Sequence, residues 1–356
     1  MINQLKMIEE LCNAYGAPGF EDEVLLLGRK YGKELAEIKE DSLRNLYFYR
    51  NENTGSKPVV LLDGHSDECA FMVSAIKPNG TIKFIPLGGW TPRDVSAHKV
   101  LIRNDEGKWI SGVVAAKPVH FMTAAERTVL PAIADMVIDV GACSEQELRE
   151  DFKISMAAPI VPDVTFEYNE KNKVMLAKAF DNRIGCAAVL ATLENVKDRE
   201  LAVDVVGSWS VQEEIGSRGA EVVANTVKPD IAIVFEGCPA DDTFYSGCDS
   251  QTAMQKGPML RHIDMKMITN PRFQRFALNL AKKHGIDVQE SVRAGGSTNG
   301  GPIHLSGHSV PVIVIGIPVR YAHSHHCFCS YSDYEKGVQL ATEIVKELNE
   351  DIIKGF

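Results

Sequence analysis

The chain has 356 residues, of which 45% are hydrophobic and 24% charged, and its formal net charge is −10. This length suggests about two domains, and the composition is that of an ordinary globular protein. The acidic balance argues against nucleic-acid and anionic-membrane partners, because both are bound through basic patches. No apolar run approaches the ~18 residues of a membrane helix. The first residues show no secretory signal.

The eight cysteines are spread singly, apart from Cys327 and Cys329. There is no CxxC pair of the kind found in zinc ribbons and thioredoxin-like proteins. We therefore expect free thiols in a reducing cytoplasm. Cys69, Cys186 and Cys238 adjoin apolar segments and are predicted to be small buried hydrophobic residues.

The first half of the chain changes character after Glu68. Residues 7–36 predict two helices separated by a Gly-Ala-Pro-Gly connection, and the stretch Val59–Leu62 predicts a buried strand. After Glu68, short β-like runs alternate with turn signals such as Asn79-Gly80, which is typical of hairpins. We predict a small all-β domain at residues 69–163, inserted into an α/β domain formed by residues 1–68 and 164–356.

The second half has an α/β pattern. Helices are predicted at residues 184–196, 271–284 and 333–353. The second of these begins after Asn270, a favourable N-cap, and ends before Gly285, a favourable C′ residue. Three further apolar stretches predict buried strands of a parallel sheet: residues 202–206, 231–235 and 311–317.

Acids and histidines follow these predicted strands. The candidate site residues are His65, Asp67, Asp181, Glu213, Glu214, Glu236 and His323. In open α/β sheets the functional crevice lies beyond the carboxyl ends of the strands, so we expect these side chains to converge. Two histidines with several carboxylates favour a metal site, and the number of acids favours two ions.

Each candidate also has a simpler interpretation. Asp181 precedes a predicted helix, and taken alone it is better explained as an N-cap, the commoner role of a carboxylate at that position. Glu213 and Glu214 are adjacent, and would be either exposed acids or buried groups whose repulsion something must offset. His65 and Asp67 are compatible with an ordinary turn, and His325 and His326 compete with His323 for the same role.

A glycine-rich stretch at residues 295–301 raises the possibility of a phosphate-binding loop. It lacks the Gly-Lys-Ser/Thr ending of such loops, so that interpretation is rejected. A backbone turn that lines the site is the better prediction.

The order of these motifs resembles the M42 family of metallo-aminopeptidases. The motifs are GHSDE at 64–68, AFDNR at 179–183, EEIGSRG at 213–219, the strand-terminal Glu236, the glycine loop and RYAHS at 320–324. The segments PLGGW at 86–90 and GVVAAKPVH at 112–120 are also family-like. The resemblance spans nearly the whole chain.

The resemblance implies a fold, an assembly and a location. It implies an α/β domain with a mostly parallel central sheet flanked by helices, as in zinc peptidases, and an inserted PDZ-like β domain used for oligomerisation. It also implies dimers that assemble into a tetrahedral dodecamer and act on short peptides. Neither a nucleic acid nor a membrane is an expected partner, and the expected location is cytoplasmic.

The resemblance also implies a role for each candidate residue. Two divalent ions, zinc, cobalt or manganese, would be held by His65, Glu236, Glu214 and His323, with Asp181 bridging them. Glu213 would be the general base for a metal-activated water, and Asp67 would orient His65. A non-proline cis peptide bond would follow Asp181.

Two departures from the family pattern bear on specificity. The glycine loop commonly reads GGTDAG, whereas this chain has Asn299 in place of the acid. The RYxHS motif normally continues with proline, and here His325 and His326 follow. Three alternatives stay open: another di-metal amidohydrolase such as a deacylase or carboxypeptidase, a metal-independent glycosidase, and an inactive binding homologue.

Overall fold

The computed structural model describes residues 2–356. The helices are α1 (Gln4–Asn13), α2 (Asp22–Gly32), α3 (Glu145–Glu150), α4 (Phe180–Val196), α5 (Arg218–Val227), α6 (Pro271–His284), α7 (Gly300–His304), α8 (Tyr331–Glu347) and α9 (Glu350–Lys354). The strands are β1 (Ala36–Glu40), β2 (Leu46–Arg50), β3 (Val59–His65), β4 (Ala70–Ile76), β5 (Ile82–Leu87), β6 (Lys99–Arg103), β7 (Trp109–Val114), β8 (Ile138–Asp139), β9 (Pro159–Pro162), β10 (Glu167–Asn169), β11 (Val174–Ala177), β12 (Asp204–Ser210), β13 (Ile231–Pro239), β14 (Met259–Ile263), β15 (Gln289–Val292), β16 (Val312–Arg320) and β17 (Cys327–Ser330).

A large mixed sheet forms the centre of the α/β part. Its main path runs β1-β2-β12-β3-β13-β16-β17-β11-β10, with β14 and β15 branching from β16. Strands β12, β3, β13 and β16 are parallel, whereas β1, β2, β17, β11 and β10 pair antiparallel. The prediction of a mostly parallel sheet therefore holds only for the four middle strands, and the antiparallel outer strands make the sheet mixed.

The parallel strands bring their carboxyl ends to one edge. His65 is the last residue of β3 and is level with Ser210, the last residue of β12. Glu236 lies on β13, level with Gly316 of β16. The four predicted parallel strands are therefore present, and each extends beyond the C-terminal end of its predicted apolar stretch.

Helix α4 is buried on nearly every face. It packs against β3 and β13 on one side and against α1 and α8 on the other. Its sequence is accordingly apolar all round, with Val189 and Leu193 fully enclosed. Because α4 begins with Phe180-Asp181, its position places Asp181 beside the carboxyl ends of the parallel strands.

Residues 70–162 contain a closed barrel of six strands, ordered β4-β5-β8-β7-β6-β9. The barrel has its own hydrophobic core, which includes Phe71, Val100 and Ile160. Gly80 adopts a φ of 79° in the turn between β4 and β5, a conformation that glycine adopts without strain. The boundaries 69–163, the PDZ-like character and the role in oligomerisation stay predictions.

Two predicted helical segments differ from the structure. The second predicted helix extends to residue 36, whereas α2 ends at Gly32 and Ala36 already begins β1, which pairs with β2. The predicted helix 333–353 is divided between α8 and α9. The division occurs at Asn349, whose side chain accepts a hydrogen bond from the Ile352 amide and so starts a new helix. None of the helices in residues 2–356 is long and apolar enough to cross a membrane.

Candidate metal centre

His65 places one imidazole at the centre of the acidic cluster. The ring is 1% exposed, and its Nε2 atom lies 3.1 Å from Asp181 Oδ1 and 3.4 Å from Glu236 Oε1. Its Nδ1 atom faces Asp67, 3.2 Å from the carbonyl oxygen and 3.3 Å from Oδ1. These contacts place Nδ1 against two acceptors of Asp67 and turn Nε2 towards the carboxylates, so that a deprotonated Nε2 would face an ion held among them.

Asp181 faces both histidines. Its Oδ1 lies 3.1 Å from His65 Nε2, and its Oδ2 lies 3.2 Å from His323 Nε2. The N-cap interpretation is wrong, because the capping bond at the start of the regular helix is made by the next residue: Asn182 Oδ1 accepts from the Gly185 amide over 3.1 Å. The Asp181–Asn182 peptide bond is cis, as the family resemblance implied.

His323 is held by the inserted barrel. Its Nδ1 donates to the carbonyl oxygen of Gly89 over 2.9 Å, which leaves Nε2 free to face Asp181 and Glu214. Gly89 lies in the PLGGW segment that follows β5. The segment thus reaches the site from the barrel and fixes the orientation of a ring on the other side of the crevice.

Glu213 and Glu214 are buried rather than exposed, with side-chain exposures of 12% and 3%. Glu213 Oε2 lies 4.0 Å from His65 Nε2, and Ser217 donates to Glu213 Oε1. Glu214 Oε2 lies 3.7 Å from His323 Nε2. The surface-acid interpretation of this pair is therefore wrong.

Asp67 links His65 to the backbone of Glu213 and Glu214. The side chain is fully buried, and its two oxygens accept hydrogen bonds from the backbone amides of Glu213 and Glu214, over 2.9 and 3.1 Å. The same carboxylate faces His65 Nδ1. One residue therefore sets the position of both the imidazole and the Glu213-Glu214 pair.

Burial and mutual repulsion dominate the electrostatics. Burial, followed by repulsion among the acids, raises the pKa of Glu213, Glu214 and Glu236 to about 8. Burial would also raise the pKa of Asp181, but hydrogen bonds from His323 and His65 hold it well below its usual range. Burial opposes the charged form of His323, yet Glu214 and Asp181 raise the pKa of His323 to about 10.

The donor set fits divalent cations. Glu214 Oε1 and Glu236 Oε2 are buried and have no hydrogen-bond partner among residues 2–356. Two sets of three residues could each hold an ion, because the possible ligand atoms within each set all lie within 4.8 Å of one another. One set is His65, Asp181 and Glu214, and the other is Cys69, Glu214 and His323. Carboxylate and imidazole donors suit zinc, cobalt and manganese.

Cys69 is the residue that sequence reasoning missed at this site. It is buried, as predicted, but its sulfur lies beside Glu214 and His323 rather than in an apolar core. Its position directly after the GHSDE motif was the available signal.

The two departures from the family pattern lie outside the acidic cluster. Asn299 is buried and donates to Asp63 Oδ2 and Ser210 Oγ, over 2.9 and 2.7 Å. His325 stacks on His98 of the barrel, with ring centroids 4.0 Å apart. His325 and His326 therefore do not replace His323 beside Asp181.

The acidic cluster opens into a cavity of about 560 Å³. Asp181, Glu213, Glu214, Glu236 and His323 contribute to its wall. The glycine-rich stretch contributes residues 295–298, as the prediction of a lining turn required. Two arginines, Arg261 and Arg293, also line it.

Several known proteins of similar sequence and structure are described as aminopeptidases. The profile of the M42 glutamyl aminopeptidase family matches residues 45–340. A glutamyl aminopeptidase from Lactococcus lactis is 32% identical over 96% of both chains. A TET aminopeptidase from a marine-sediment thaumarchaeon superposes with a TM-score of 0.95 at 36% identity, covering 99% of both chains.

A third relative bears on assembly. The TET1 peptidase of Pyrococcus horikoshii, which can assemble into a tetrahedron or a large octahedral shell, superposes with a TM-score of 0.86 at 25% identity. The match covers 97% of this chain and all of that one. The family match, the extent of these alignments and the geometry of the cluster agree, and the chain belongs to the M42 family of metal-dependent aminopeptidases.

Proposed function

We propose that this aminopeptidase removes N-terminal residues from short peptides with two divalent ions and with Glu213 as general base. The observation that carries the proposal is the placement of Asp181. Its two oxygens face the Nε2 atoms of His65 and His323 at nearly equal distances, 3.1 and 3.2 Å. A carboxylate between two imidazoles is the arrangement that a bridging ligand requires.

The ligands fall into two sets around this bridge. His65 and Glu236 would hold one ion, and Glu214 and His323 the other, with Asp181 shared. The bound ions would polarise the peptide carbonyl and lower the pKa of a water molecule. Asp67 accepts from Nδ1 of His65, and the Gly89 carbonyl accepts from Nδ1 of His323. In both rings Nε2 would therefore be the atom that binds the ion.

In this proposal Glu213 is the group that moves the proton. Its Oε1 accepts from Ser217, and its Oε2 points towards His65 Nε2 at 4.0 Å. In this proposal Glu213 takes a proton from the attacking water and returns it to the departing amine. Burial raises the pKa of Glu213 to about 8 in the metal-free protein, and bound cations would lower it, so the carboxylate would be ionised and able to accept a proton.

Assembly and location belong to the same proposal. The barrel exposes Phe121 and Val129, which are 73% and 67% exposed. Exposed apolar side chains of this size favour a contact surface. With the assembly of the Pyrococcus horikoshii relative, this supports a homo-oligomer of dimers, up to a tetrahedral dodecamer. We expect the enzyme to act in the cytoplasm, away from nucleic acids and membranes.

Metal removal and replacement test the function. Protein stripped with a chelator is reloaded separately with Zn²⁺, Co²⁺ or Mn²⁺ and assayed on aminoacyl-p-nitroanilides and their N-acetylated counterparts. Metal-restored hydrolysis of the free-amine substrates alone is expected. Hydrolysis of the acetylated substrates would show a different amidohydrolase, and activity that survives metal removal would contradict the metal centre.

A further inference from the structure

A buried thiol lies beside one side of the acidic cluster. Cys69 is 9% exposed and lies between β3 and β4, the first strand of the barrel. Its sulfur, one oxygen of Glu214 and one ring nitrogen of His323 all lie within 4.8 Å of one another. The thiol forms no disulfide. One sulfur, one oxygen and one nitrogen donor are therefore within reach of a single ion.

Glu214 is the member of this set that lacks a partner. Its side chain is 3% exposed, and its Oε1 atom is buried without a hydrogen-bond partner among residues 2–356. His323 Nε2 lies 3.7 Å from the other oxygen, Oε2, and so does not satisfy Oε1. A buried, unpaired carboxylate oxygen is costly, and a cation beside it would remove that cost.

The space beside these groups is the size of one ion. A cavity of about 20 Å³ is lined by residues that include Cys69, Asp181, Glu214 and His323. A single water molecule needs roughly 10–15 Å³ of such volume, so a larger ligand would not fit. Lys178 also lines this cavity, but its ammonium group donates to both oxygens of Glu68, each over 2.7 Å. The charge of Lys178 is therefore already paired.

The PLGGW segment leaves room for the sulfur. Gly88 has a φ of 100°, and a Cβ there would lie 2.6 Å from Cys69 Sγ and 3.0 Å from Glu214 Oε2. A side chain at this position would collide with both donor atoms. The next residue, Gly89, accepts a hydrogen bond from His323 Nδ1 over 2.9 Å. The segment thus lies against the donor atoms and orients one of them without obstructing the others.

The two sets of possible ligands differ in their chemistry. The set formed by His65, Asp181 and Glu214 offers nitrogen and oxygen donors. The set that contains Cys69 offers sulfur in addition. Soft thiolate donors favour zinc, whereas manganese prefers carboxylate and other oxygen donors. A thiolate also brings a negative charge to the ion. The two ion positions are therefore not equivalent.

We propose that Cys69 is a thiolate ligand of the ion held by Glu214 and His323, and that it makes this position selective for zinc over manganese. The proposal rests on the proposed two-ion function and adds a donor to the ligands named there. Binding of the ion releases the thiol proton to solvent. The position at His65 and Glu236 has harder donors and accepts zinc, cobalt or manganese.

Cobalt substitution reports directly on the sulfur. Stripped protein is titrated with Co²⁺ and its near-ultraviolet absorption is recorded, because a thiolate bound to Co²⁺ gives a charge-transfer band that oxygen and nitrogen donors do not give. We expect this band in the wild type and its loss in both Cys69→Ser and Cys69→Ala.

Cys327→Ser is the matched control. Cys327 is a second buried thiol in the wall of the same small cavity. Its sulfur faces the carbonyl oxygens of Tyr321 and Ser324, at 3.3 and 3.7 Å, and is committed to them. We therefore expect Cys327→Ser to keep the charge-transfer band.

Metal competition measures the selectivity. Loss of an outer partner of a metal ligand costs roughly 10- to 100-fold in affinity, and loss of a direct ligand should cost at least as much. Zinc titration against a competing chelator is therefore expected to show one of two binding steps weakened at least about tenfold in Cys69→Ser. The affinity for Mn²⁺ should change little, and equal weakening of zinc and manganese would overturn the selectivity.

The outcomes separate this proposal from the function on which it rests. Two bound Co²⁺ ions per subunit without a charge-transfer band overturn the thiolate ligand and leave the two-ion aminopeptidase standing. A band that survives in Cys69→Ala and disappears in Cys327→Ser does the same. Fewer than two ions per subunit contradict the two-ion centre, and the band then decides separately whether Cys69 binds metal. If neither Cys69 variant folds, the wild-type and Cys327→Ser spectra decide.

Discussion

Glu213 and Asp67 show how two buried carboxylates of one site acquire different roles. Asp67 accepts hydrogen bonds from two backbone amides and faces His65 Nδ1, so its oxygens are committed to the protein. Glu213 accepts one bond from Ser217 through Oε1, while Oε2 lies 4.0 Å from the nearest imidazole nitrogen of His65. Asp67 is therefore suited to positioning, and Glu213 is suited to proton transfer.

Replacing Glu213 separates proton transfer from metal binding. Glu213→Gln keeps the size and the hydrogen bond from Ser217 but cannot accept a proton. We expect kcat to fall by about 10²- to 10⁴-fold, the usual contribution of a general base, with metal content unchanged. Activity assays with metal analysis check this. The exposed Glu221→Gln is the control, and near-normal turnover in Glu213→Gln would assign the base elsewhere.

The sequence allowed the site residues to be predicted, but not all of their surroundings. The acids and histidines were identifiable because each follows an apolar strand or belongs to a motif. The contacts of Gly89 and Arg261 with the site were not identifiable. They depend on how the barrel and β14 pack against the crevice, and no local pattern encodes that packing.

At the level of elements, Gly237 on β13 is a point of close approach between the sheet and the start of α4. A Cβ at this position would lie 2.7 Å from the Asp181 Cα and 2.8 Å from its backbone nitrogen. These are backbone atoms, so they cannot move aside without displacing the start of α4. The absence of a side chain at Gly237 allows Asp181 to sit beside the parallel strands.

Gly237→Ala is therefore expected to disturb the metal centre. Overpacking of this kind destabilises by about 1–3 kcal/mol, and the shift of Asp181 should lower metal affinity as well. Thermal unfolding and metal titration against a competing chelator measure the two effects. Gly295→Ala is the matched control, since a Cβ there has nothing within 4 Å. Equal behaviour of the two variants would contradict the close-approach argument.

Element prediction succeeded where periodicity was strong and failed at the sheet margins. Helix α6 was predicted with its exact bounds because Asn270 and Gly285 mark both ends. Strands β1 and β2 were missed because the segment Ala36–Glu40 carries charged residues and is stabilised by pairing with β2, not by its own pattern. Edge strands of this kind are set by tertiary contacts.

For the whole molecule, the number of protons that the acidic cluster binds in the folded and unfolded states predicts how the stability of the metal-free protein depends on pH. Burial raises the pKa of Glu214 and Glu236 from 4.5 to about 8, and neighbouring acids raise that of His323 from 6.5 to about 10. The folded protein thus binds more protons than the unfolded chain at these groups. Their stabilisation is complete below the unfolded pKa and is lost as pH rises through the folded pKa.

We therefore expect the chelator-treated protein to lose stability as pH rises from about 5 to about 9. The pKa of Asp181 is lowered instead, so its contribution to stability is lost as the pH falls, and this affects acidic pH only. Bound divalent ions replace the protons, so the metal-loaded protein should show a flatter profile. Denaturant titrations at a series of pH values measure both. Rising stability of the stripped protein across this range would contradict the proton balance.

Oligomerisation through the barrel predicts a separate effect on molecular mass. Phe121→Asp places a charge at a side chain that is 73% exposed, so the fold should tolerate it while a contact between subunits is weakened. Light scattering after size exclusion should show a smaller species. Phe244→Asp, at a 68% exposed position outside the barrel, is the matched control. Dissociation by Phe244→Asp alone would place the interface outside the barrel.

The hydrogen bond from His323 to the Gly89 carbonyl makes the barrel a component of the reaction centre. A rotation of the barrel away from the sheet would release the Nδ1 proton from its acceptor and turn the imidazole. A partner that binds the barrel and rotates it would therefore change the orientation of His323 and with it the activity. Deleting residues 69–163 to obtain a smaller peptidase would remove this acceptor. The barrel and the α/β domain therefore have to be engineered together.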